Sequence, residues 1–347
     1  MTAPRFITVA EAIAHHQSGK MTVVDVRSPK EFEAGHIPNA INIPLLNNEH
    51  RHLVGCCYKE QGQAAAVDLG YQLVTPLFPQ IQAAATDQAQ GKTIVLHCWR
   101  GGLRSKITAG LLAEVGFEVL MVEGGYKAWR NQWIAMFSAP FKMLMVGGLT
   151  GSGKTELLMQ LQEEGLAVVD LEGMAHHRGS AFGGLGLPEQ PTQEQFENVL
   201  GCFLYQHEAS QCLLVESESR MIGRNRVPDH FFNQMWLSPR VEVVRTLAQR
   251  TAHILSVYGV FPSKDLIAKT EQLKRRMGSE QVKEAVTALE EGNRERWVEL
   301  LLHYYDKNYQ HHSGLQEQQM IIRLPHEENW TMNQWAQAIK ELCKTFN

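Results

Sequence analysis

The sequence lacks several features that would assign it to a specialised class of protein. Nowhere do about 18 consecutive apolar residues occur, so no membrane-spanning helix is predicted. The six cysteines include no Cys-x-x-Cys pair, which argues against a structural zinc site or a thioredoxin-type dithiol. The start of the chain has no basic stretch followed by an apolar run, so no secretory signal is expected. These absences favour a cytoplasmic protein with reduced cysteines.

An excess of positive charge is also missing. The 33 Lys and Arg residues stand against 37 Asp and Glu residues, a formal net charge of −4, which argues against a wholly basic nucleic-acid-binding protein. A local basic groove is still allowed, because electrostatic steering depends on how charge is distributed. The length of 347 residues exceeds the roughly 250–300 at which single cores split, so two domains are expected.

Short apolar runs alternate with helical patterns on both sides of a break at Ser138-Ala139-Pro140. Before the break, the pattern predicts strands at 22–26, 40–43, 93–97 and 117–122, and helices at 29–34 and 104–115. After it, the pattern predicts strands at 142–146, 167–171 and 212–215, a helix at 154–163, and mainly helices from 241 onward with a candidate last strand at 320–324. Such alternation is typical of an α/β protein with parallel sheets. We therefore predict one domain over 1–137 and a second over 141–347, whose C-terminal part is helical.

A loop with a single cysteine, Cys98, joins a predicted buried strand to a helix. In this position backbone N–H groups and the helix N-terminus converge on the sulfur and lower its pKa. Two flanking arginines add positive charge, and paired glycines let the loop wrap tightly around an anion. The predicted result is a nucleophilic thiolate in an anion-binding cradle. The other residues of that cradle are Trp99, Arg100, Gly101, Gly102 and Arg104.

Two classes of enzyme use such a loop. The string His-Cys-x-x-x-x-x-Arg-Ser matches the tyrosine-phosphatase signature, in which the cysteine attacks phosphorus. The surroundings resemble the rhodanese family, in which the cysteine carries sulfur or selenium as a per-chalcogenide. The loop is one residue longer than usual for a sulfurtransferase, so a rhodanese-fold cysteine phosphatase or sulfurtransferase with an attached nucleotide-binding domain is the alternative. The resemblance covers most of residues 1–130 and rests on Asp25-Val26-Arg27, Glu31-Phe32, the run from Gly35 to Pro44, Glu123-Gly124-Gly125-Tyr126 and Trp129.

A second anion-binding motif, Gly-x-x-x-x-Gly-Lys-Thr, lies between a predicted strand and a predicted helix. Its glycines let backbone N–H groups point at phosphate oxygens, Lys154 supplies a point charge, and Thr155 can hold Mg²⁺. No adenine-specific signature is visible, so the ligand is a di- or triphosphate that need not be a nucleotide. The predicted phosphate-binding residues are Gly148, Gly151, Ser152, Gly153, Lys154 and Thr155.

Acidic and basic residues follow two of the predicted buried strands. A metal-coordinating acid normally ends a strand beside a phosphate loop, and the candidates are Asp170 or Glu172, and Glu216 or Glu218. Gly, His and Arg residues are also dense there, a composition that suits a surface facing RNA. The candidates for RNA contact are His177, Arg178, Arg220, Arg224 and Arg226.

The pairing of a rhodanese-like domain with a P-loop NTPase-like α/β domain is itself uncommon. With the strings Asp170–Gly173, His177–Ser180 and Glu216–Arg220, the chain from about residue 5 to 340 resembles the bacterial tRNA 2-selenouridine synthase family. The resemblance implies exchange at the wobble uridine of tRNA. The sulfur of 2-thiouridine first takes a geranyl group from geranyl diphosphate, and selenium from selenophosphate then replaces the geranylated sulfur.

The resemblance also implies a role for each loop. The phosphate loop would hold geranyl diphosphate, with Mg²⁺ at Thr155, and an apolar slot for the geranyl chain is expected without being assigned. Cys98 would carry selenium, with Arg100 and the loop amides holding selenophosphate. No tightly bound cofactor and no membrane association are expected. The implied partners are tRNA and an enzyme that supplies selenophosphate, and the oligomeric state stays open.

Overall fold

The structure is a computed structural model that describes residues 4–89, 91, 93–207, 211–313, 320–324 and 330–346. The side chains of residues 308–313 are not described. The predicted outer ends of the two domains, at residues 1 and 347, lie outside the described residues.

Helices and strands alternate along the described chain. Up to the break near residue 138 the elements are β1 (Arg5–Ile7), α1 (Val9–Gln17), β2 (Thr22–Asp25), α2 (Pro29–Ala34), β3 (Ile41–Asn42), α3 (Asn48–Gln61), α4 (Gln63–Val74), a 3₁₀ turn (Thr75–Leu77), α5 (Phe78–Gln88), β4 (Thr93–His97), α6 (Leu103–Glu114), β5 (Glu118–Val122) and α7 (Gly125–Met136). Beyond it they are β6 (Met143–Gly147), α8 (Lys154–Glu163), β7 (Val168–Val169), α9 (Leu171–Ala175), α10 (Gln193–Gln206), β8 (Leu213–Glu216), β9 (Met221–Ile222), β10 (Asn225–Arg226), α11 (Asp229–Leu237), β11 (Arg240–Glu242), α12 (Leu247–Tyr258), α13 (Ser263–Glu271), α14 (Lys274–Met277), α15 (Ser279–Glu290), α16 (Arg294–Ser313), β12 (Ile321–Ile322) and α17 (Met332–Lys344).

The first compact unit is built on a five-stranded sheet in the order β1-β5-β4-β2-β3. All of its strand pairs are parallel, as the alternating pattern predicts. Buried apolar side chains cover both faces, with Leu96 in the cluster on one side and Val95 in the cluster on the other. Alternate residues of one strand thus serve two cores, which is why β4 reads as a continuous apolar run.

Helix α10 is distant in sequence but belongs to the first unit, which combines Met1–Phe137 with Glu194–Gln206. The buried Asn198 donates from Nδ2 to the His36 carbonyl (3.0 Å) and to the Tyr126 hydroxyl (2.7 Å). That hydroxyl in turn donates to Glu194 Oε1 at 2.6 Å. Because every polar group in this chain of hydrogen bonds is satisfied, burial of Asn198 is tolerated. The predicted domains, 1–137 and 141–347, place α10 in the second domain, so the prediction misses this segment of the first unit.

The second unit contains another five-stranded parallel sheet, in the order β12-β11-β6-β8-β7. The strand predicted at 167–171 ends two residues early. The Asp170 carboxylate accepts a hydrogen bond from the Gly173 N–H (2.8 Å) and thereby caps α9, so Leu171 begins a helix. The strand at 240–242 is missing from the prediction, which treats this region as helical.

The C-terminal part of the second unit is mainly helical, as predicted. Helices α12 to α16 share one apolar core, which includes Trp297 and Leu301. The candidate last strand at 320–324 is present but short, and pairs with β11 through residues 321 and 322. None of the helices within the described ranges has the length and apolar character needed to span a bilayer.

Candidate active sites

The cysteine loop lies at the carboxyl end of β4, between that strand and α6. Cys98 follows the strand directly, and its side chain is almost fully buried. The first turn of α7 packs against the loop, since the Tyr126 N–H donates to the Cys98 carbonyl (2.9 Å) and the Lys127 N–H to the Trp99 carbonyl (3.0 Å). Gly125 has a φ of +59° and touches the Cys98 carbonyl so closely that no Cβ fits there. The start of α7 therefore fixes the shape of the cysteine loop.

The surroundings of Cys98 favour the thiolate. Burial acts to raise its pKa. The Ser105 hydroxyl, the positive charge of Arg104 and backbone N–H groups of the loop oppose burial, and together they lower the pKa of Cys98 below its usual value. A lowered pKa increases the fraction of the thiol that is present as the nucleophilic thiolate. Ser105 is part of the signature string, but its hydroxyl was not among the predicted site residues.

Arg104 is held in place by Glu31 of α2. The two form a paired contact, with Nη1 at 2.6 Å from Oε2 and Nη2 at 3.3 Å from Oε1. Burial opposes ionisation of Glu31, but the hydrogen bonds and charge of Arg104 lower its pKa to about 2. A carboxylate therefore orients the cation that acts on Cys98. Arg100 and Trp99 are exposed instead, and Arg100 forms no ion pair within the described part of the chain.

Replacing Arg104 with Gln is expected to raise the pKa of Cys98. Loss of a nearby positive charge disfavours the thiolate, so alkylation of Cys98 by iodoacetamide at neutral pH should become several-fold slower. The measurement is the alkylation rate against pH, determined peptide by peptide because Cys56 is also accessible. Lys106→Gln removes the same charge from an exposed position on the same helix and should leave the profile unchanged. Coincident profiles for Arg104→Gln and the unmodified protein would contradict this electrostatic account.

The phosphate loop joins β6 to α8. Gly151 has a φ of +81°, and a Cβ there would lie 3.0 Å from the Arg250 carbonyl, so glycine is required. The Arg250 guanidinium donates to the Thr150 carbonyl (3.3 Å) and is paired with Asp306 at 2.7 Å, which fastens the loop to α12 and α16. Gly153 precedes α8 in the left-handed conformation. The loop is thus fixed by its own glycines and by one buried arginine.

Lys154 and Thr155 both contact Glu216 at the end of β8. The Lys154 ammonium lies 3.2 Å from the Gly148 carbonyl and 3.7 Å from Glu216 Oε1. The Thr155 hydroxyl donates to Glu216 Oε2 at 3.2 Å. Ser152, which is part of the loop, is buried. The predicted acid at the end of this strand therefore lies beside the residues expected to bind phosphate.

Three glutamates meet next to the phosphate loop. One oxygen from each of Glu172, Glu216 and Glu218 lies within 4.8 Å of the other two. Burial, followed by the charges of its neighbours, raises the pKa of Glu172, and burial also raises the pKa of Glu216 and Glu218. Carboxylates forced together in this way are stabilised by a cation, and oxygen ligands suit Mg²⁺. Asp170 lies outside the group, because its side chain caps α9.

The phosphate loop opens into a cavity of about 470 Å³ in the second unit. The polar end is formed by the loop, the three glutamates and Arg178. The remainder is apolar and is walled by α12, α16 and the segment after α9. Residues that form this wall include Phe182, Val257, Tyr258, Trp297, Leu301 and Leu302. Members of this wall are more than 100 residues apart in sequence, and only the apolar spacing of α16 offered a signal for them.

The five residues predicted to contact RNA occupy different environments. Arg178 lines the cavity and donates to the Leu185 carbonyl at 3.0 Å, while His177 is half-buried. The other three lie in and beside the β9–β10 hairpin, each in an ion pair. Arg220 and Arg226 share Asp229, at 2.5 and 2.8 Å, and Arg224 contacts Glu189 at 3.1 Å. Their contact with RNA stays a prediction.

Models of known protein families match both halves of the chain. The model for the rhodanese-like domain matches residues 8–132, and the model for the tRNA 2-selenouridine synthase AAA domain matches residues 141–341. Among solved structures, a rhodanese-related protein from Thermoplasma volcanium matches 37% of this chain and 91% of its own, at 22% identity and a TM-score of 0.22.

Relatives named tRNA 2-selenouridine synthase match nearly the whole chain. The protein from Shewanella piezotolerans is 36% identical, with 91% of this chain and 94% of its own covered. The protein from Shewanella loihica is 37% identical, with 90% and 92% covered. The family resemblance predicted from the sequence is therefore confirmed. The chain belongs to the tRNA 2-selenouridine synthases, a family of enzymes.

Proposed function

We propose that this protein converts 2-thiouridine in tRNA into 2-selenouridine through an S-geranyl intermediate, with geranyl diphosphate and selenophosphate as donors. Family membership supports the overall conversion. The observation that carries the geranyl step is the cavity at the phosphate loop. A diphosphate cradle at one end and an apolar wall at the other match the two chemical halves of a prenyl diphosphate.

In the first step, the sulfur of 2-thiouridine attacks C1 of the geranyl group. The new C–S bond forms as the C1–O bond breaks, diphosphate departs, and the uridine loses its N3 proton. Lys154 and the loop amides stabilise the negative charge that develops on the diphosphate. Mg²⁺, held by Thr155 and the three glutamates, would add positive charge at the same place.

The apolar wall binds the chain and distinguishes this ligand from a nucleotide. Each buried CH₂ contributes about 0.8 kcal/mol, so a ten-carbon chain gains several kcal/mol on leaving water. The ring of Phe182 contacts Tyr258 and Trp297 edge-on, with centroids 6.0 and 5.5 Å apart. This aromatic end of the wall offers carbon contacts and few polar groups, which suits a prenyl chain.

In the second step, selenium replaces the geranylated sulfur at C2. The S-geranyl uridine, hydrogen selenophosphate and water give 2-selenouridine, geranylthiol and hydrogen phosphate. Phosphorus and selenium keep their oxidation states, so no oxidant or reductant is required. The Cys98 thiolate attacks C2 and expels the geranyl thiolate, which leaves as geranylthiol. The selenium of selenophosphate then attacks C2 and expels Cys98, and water cleaves the Se–P bond to release hydrogen phosphate. The loop amides with Arg104 form the anion site. An enzyme that supplies selenophosphate is the expected partner for it.

A polar substitution in the apolar wall tests the prenyl assignment. Val257 is half-buried and is one of the apolar residues that line the cavity. With Mg²⁺ present, Val257→Asn should weaken geranyl diphosphate binding by roughly tenfold or more, since a polar group in an apolar pocket is left unpaired. Binding of inorganic diphosphate should not change.

Val257→Ile is the matched control, because it retains the apolar wall, and it should bind geranyl diphosphate much like the unmodified protein. Titration calorimetry measures each affinity. If the unmodified protein bound geranyl diphosphate no more tightly than inorganic diphosphate, the cavity would not be a prenyl site.

A further inference from the structure

A second apolar cavity lies in the first unit, beside the helix that follows the cysteine loop. Its volume is about 350 Å³, within the range of roughly 300–1,000 Å³ typical of small-molecule sites. The walls come from α3, α4 and α6. Apolar residues that line it include Leu46, Val54, Val67, Tyr71, Val74 and Ile107. Helices α3 and α4 lie in the long connection between β3 and β4, which thereby supplies two of the three walls.

This cavity adjoins the cysteine loop, because Leu103 and Arg104 line it. Arg104, the cation that lowers the pKa of Cys98, also lines the cavity, and Ile107 follows one turn later on α6. Leu46 and Val74 of the cavity belong to the same buried cluster as Cys98. A ligand held here therefore has one end beside the loop in which selenium is exchanged.

Several large apolar side chains that line the cavity are exposed at its rim. Tyr58 and Tyr71 line it and are 57% and 43% exposed. Leu103, at the start of α6, also lines it and is 44% exposed. Exposed large apolar side chains that rim a pocket are typical of a ligand site.

We propose that this cavity holds the geranyl chain of S-geranyl-2-thiouridine while selenium replaces sulfur at C2. The proposal rests on the proposed function, which delivers to Cys98 a base with a ten-carbon apolar tail. Burial of that tail beside the loop fixes the position of C2 relative to the thiolate. It also gives the protein a way to prefer the S-geranyl base over a base with a shorter substituent. The chain thus has two apolar sites, one for the prenyl donor and one for the prenylated base.

A large side chain at Val67 tests the proposal. Val67 is half-buried on α4 and lines the cavity, whereas its neighbour Asp68 is exposed and does not. The substrates are an RNA stem-loop containing S-geranyl-2-thiouridine and its S-methyl counterpart, each with selenophosphate. Val67→Trp should slow conversion of the S-geranyl RNA by roughly ten- to two-hundred-fold, the range that misfitting apolar groups produce. It should leave the S-methyl rate unchanged, and Asp68→Trp should leave both unchanged.

Two further measurements separate the cavity from the proposed function. In the first, the Val67→Trp variant receives 2-thiouridine RNA, geranyl diphosphate and selenophosphate, and S-geranyl RNA should accumulate. In the second, geranyl methyl sulfide should inhibit conversion of the S-geranyl RNA by the unmodified protein. Equal rates of the Val67→Trp variant and the unmodified protein on S-geranyl RNA, or equal losses on both RNAs, would overturn the cavity assignment. Failure of the unmodified protein to form or convert S-geranyl RNA at all would overturn the proposed function instead.

Discussion

Replacing Cys98 with Ser is expected to abolish the formation of 2-selenouridine and to leave geranyl transfer intact. The loop lowers the pKa of the Cys98 thiol. The pKa of a serine hydroxyl is so far above neutral pH that the same charges do not ionise it. Loss of an enzyme nucleophile reduces the rate by a factor on the order of 10³ to 10⁶. The phosphate loop belongs to the other compact unit, so S-geranyl-2-thiouridine should accumulate.

Nucleoside mass spectrometry of tRNA treated with the Cys98→Ser variant and both donors measures this outcome. The matched control is Cys56→Ser on α3, a free cysteine outside the loop, which should behave like the unmodified protein. Formation of 2-selenouridine by Cys98→Ser at the normal rate would show that the cysteine is not the nucleophile of the selenium step.

Replacing Lys154 with Ala is expected to block the earlier step. The ammonium group lies in the phosphate loop, 3.2 Å from the Gly148 carbonyl, where it can contact a bound diphosphate. Removal of one preorganised electrostatic group costs roughly 10²–10³ in rate, so geranyl transfer should fall by about that factor. Because selenium exchange requires the geranylated base, 2-selenouridine should disappear as well. Supplying RNA that already contains S-geranyl-2-thiouridine should restore the formation of 2-selenouridine.

The restored second step also shows whether the Lys154→Ala protein is folded in its first unit. For the second unit a thermal unfolding measurement is needed, because Lys154 partly compensates the buried Glu216. Lys264→Ala removes the same charge from an exposed position on α13 and serves as the control. Undiminished geranyl transfer by a folded Lys154→Ala variant would separate the phosphate loop from this step.

Both loops are predictable from the sequence because each is a contiguous string between a strand and a helix. Within each loop, 97–105 and 148–155, the local backbone geometry brings the residues together. No contact with a distant segment has to be known to recognise either motif. The parallel sheets follow for a similar reason, since the alternation of buried strands and helices is visible along the chain. Family-level resemblance adds the chemistry, which neither loop specifies on its own.

The remaining features depend on contacts between distant segments. Helix α10 joins the first unit through Asn198, and its sequence alone gives no hint of its partner. Strand β11 begins with Arg240, which is 1% exposed and paired with Glu242 at 2.6 Å, so a buried strand reads as polar. Each apolar cavity likewise combines helices that are distant in sequence, α3 and α4 with α6 in the first unit and α12 with α16 in the second. Side-chain packing of this kind has no local signature.

The most direct test of the account is a two-stage reaction on tRNA that contains 2-thiouridine, followed by nucleoside mass spectrometry. The tRNA is first incubated with the protein and geranyl diphosphate, freed of that donor, and then given fresh protein and selenophosphate. We expect S-geranyl-2-thiouridine after the first stage and its conversion to 2-selenouridine in the second. Formation of 2-selenouridine from selenophosphate alone, at the same rate and without prior geranylation, would contradict the account.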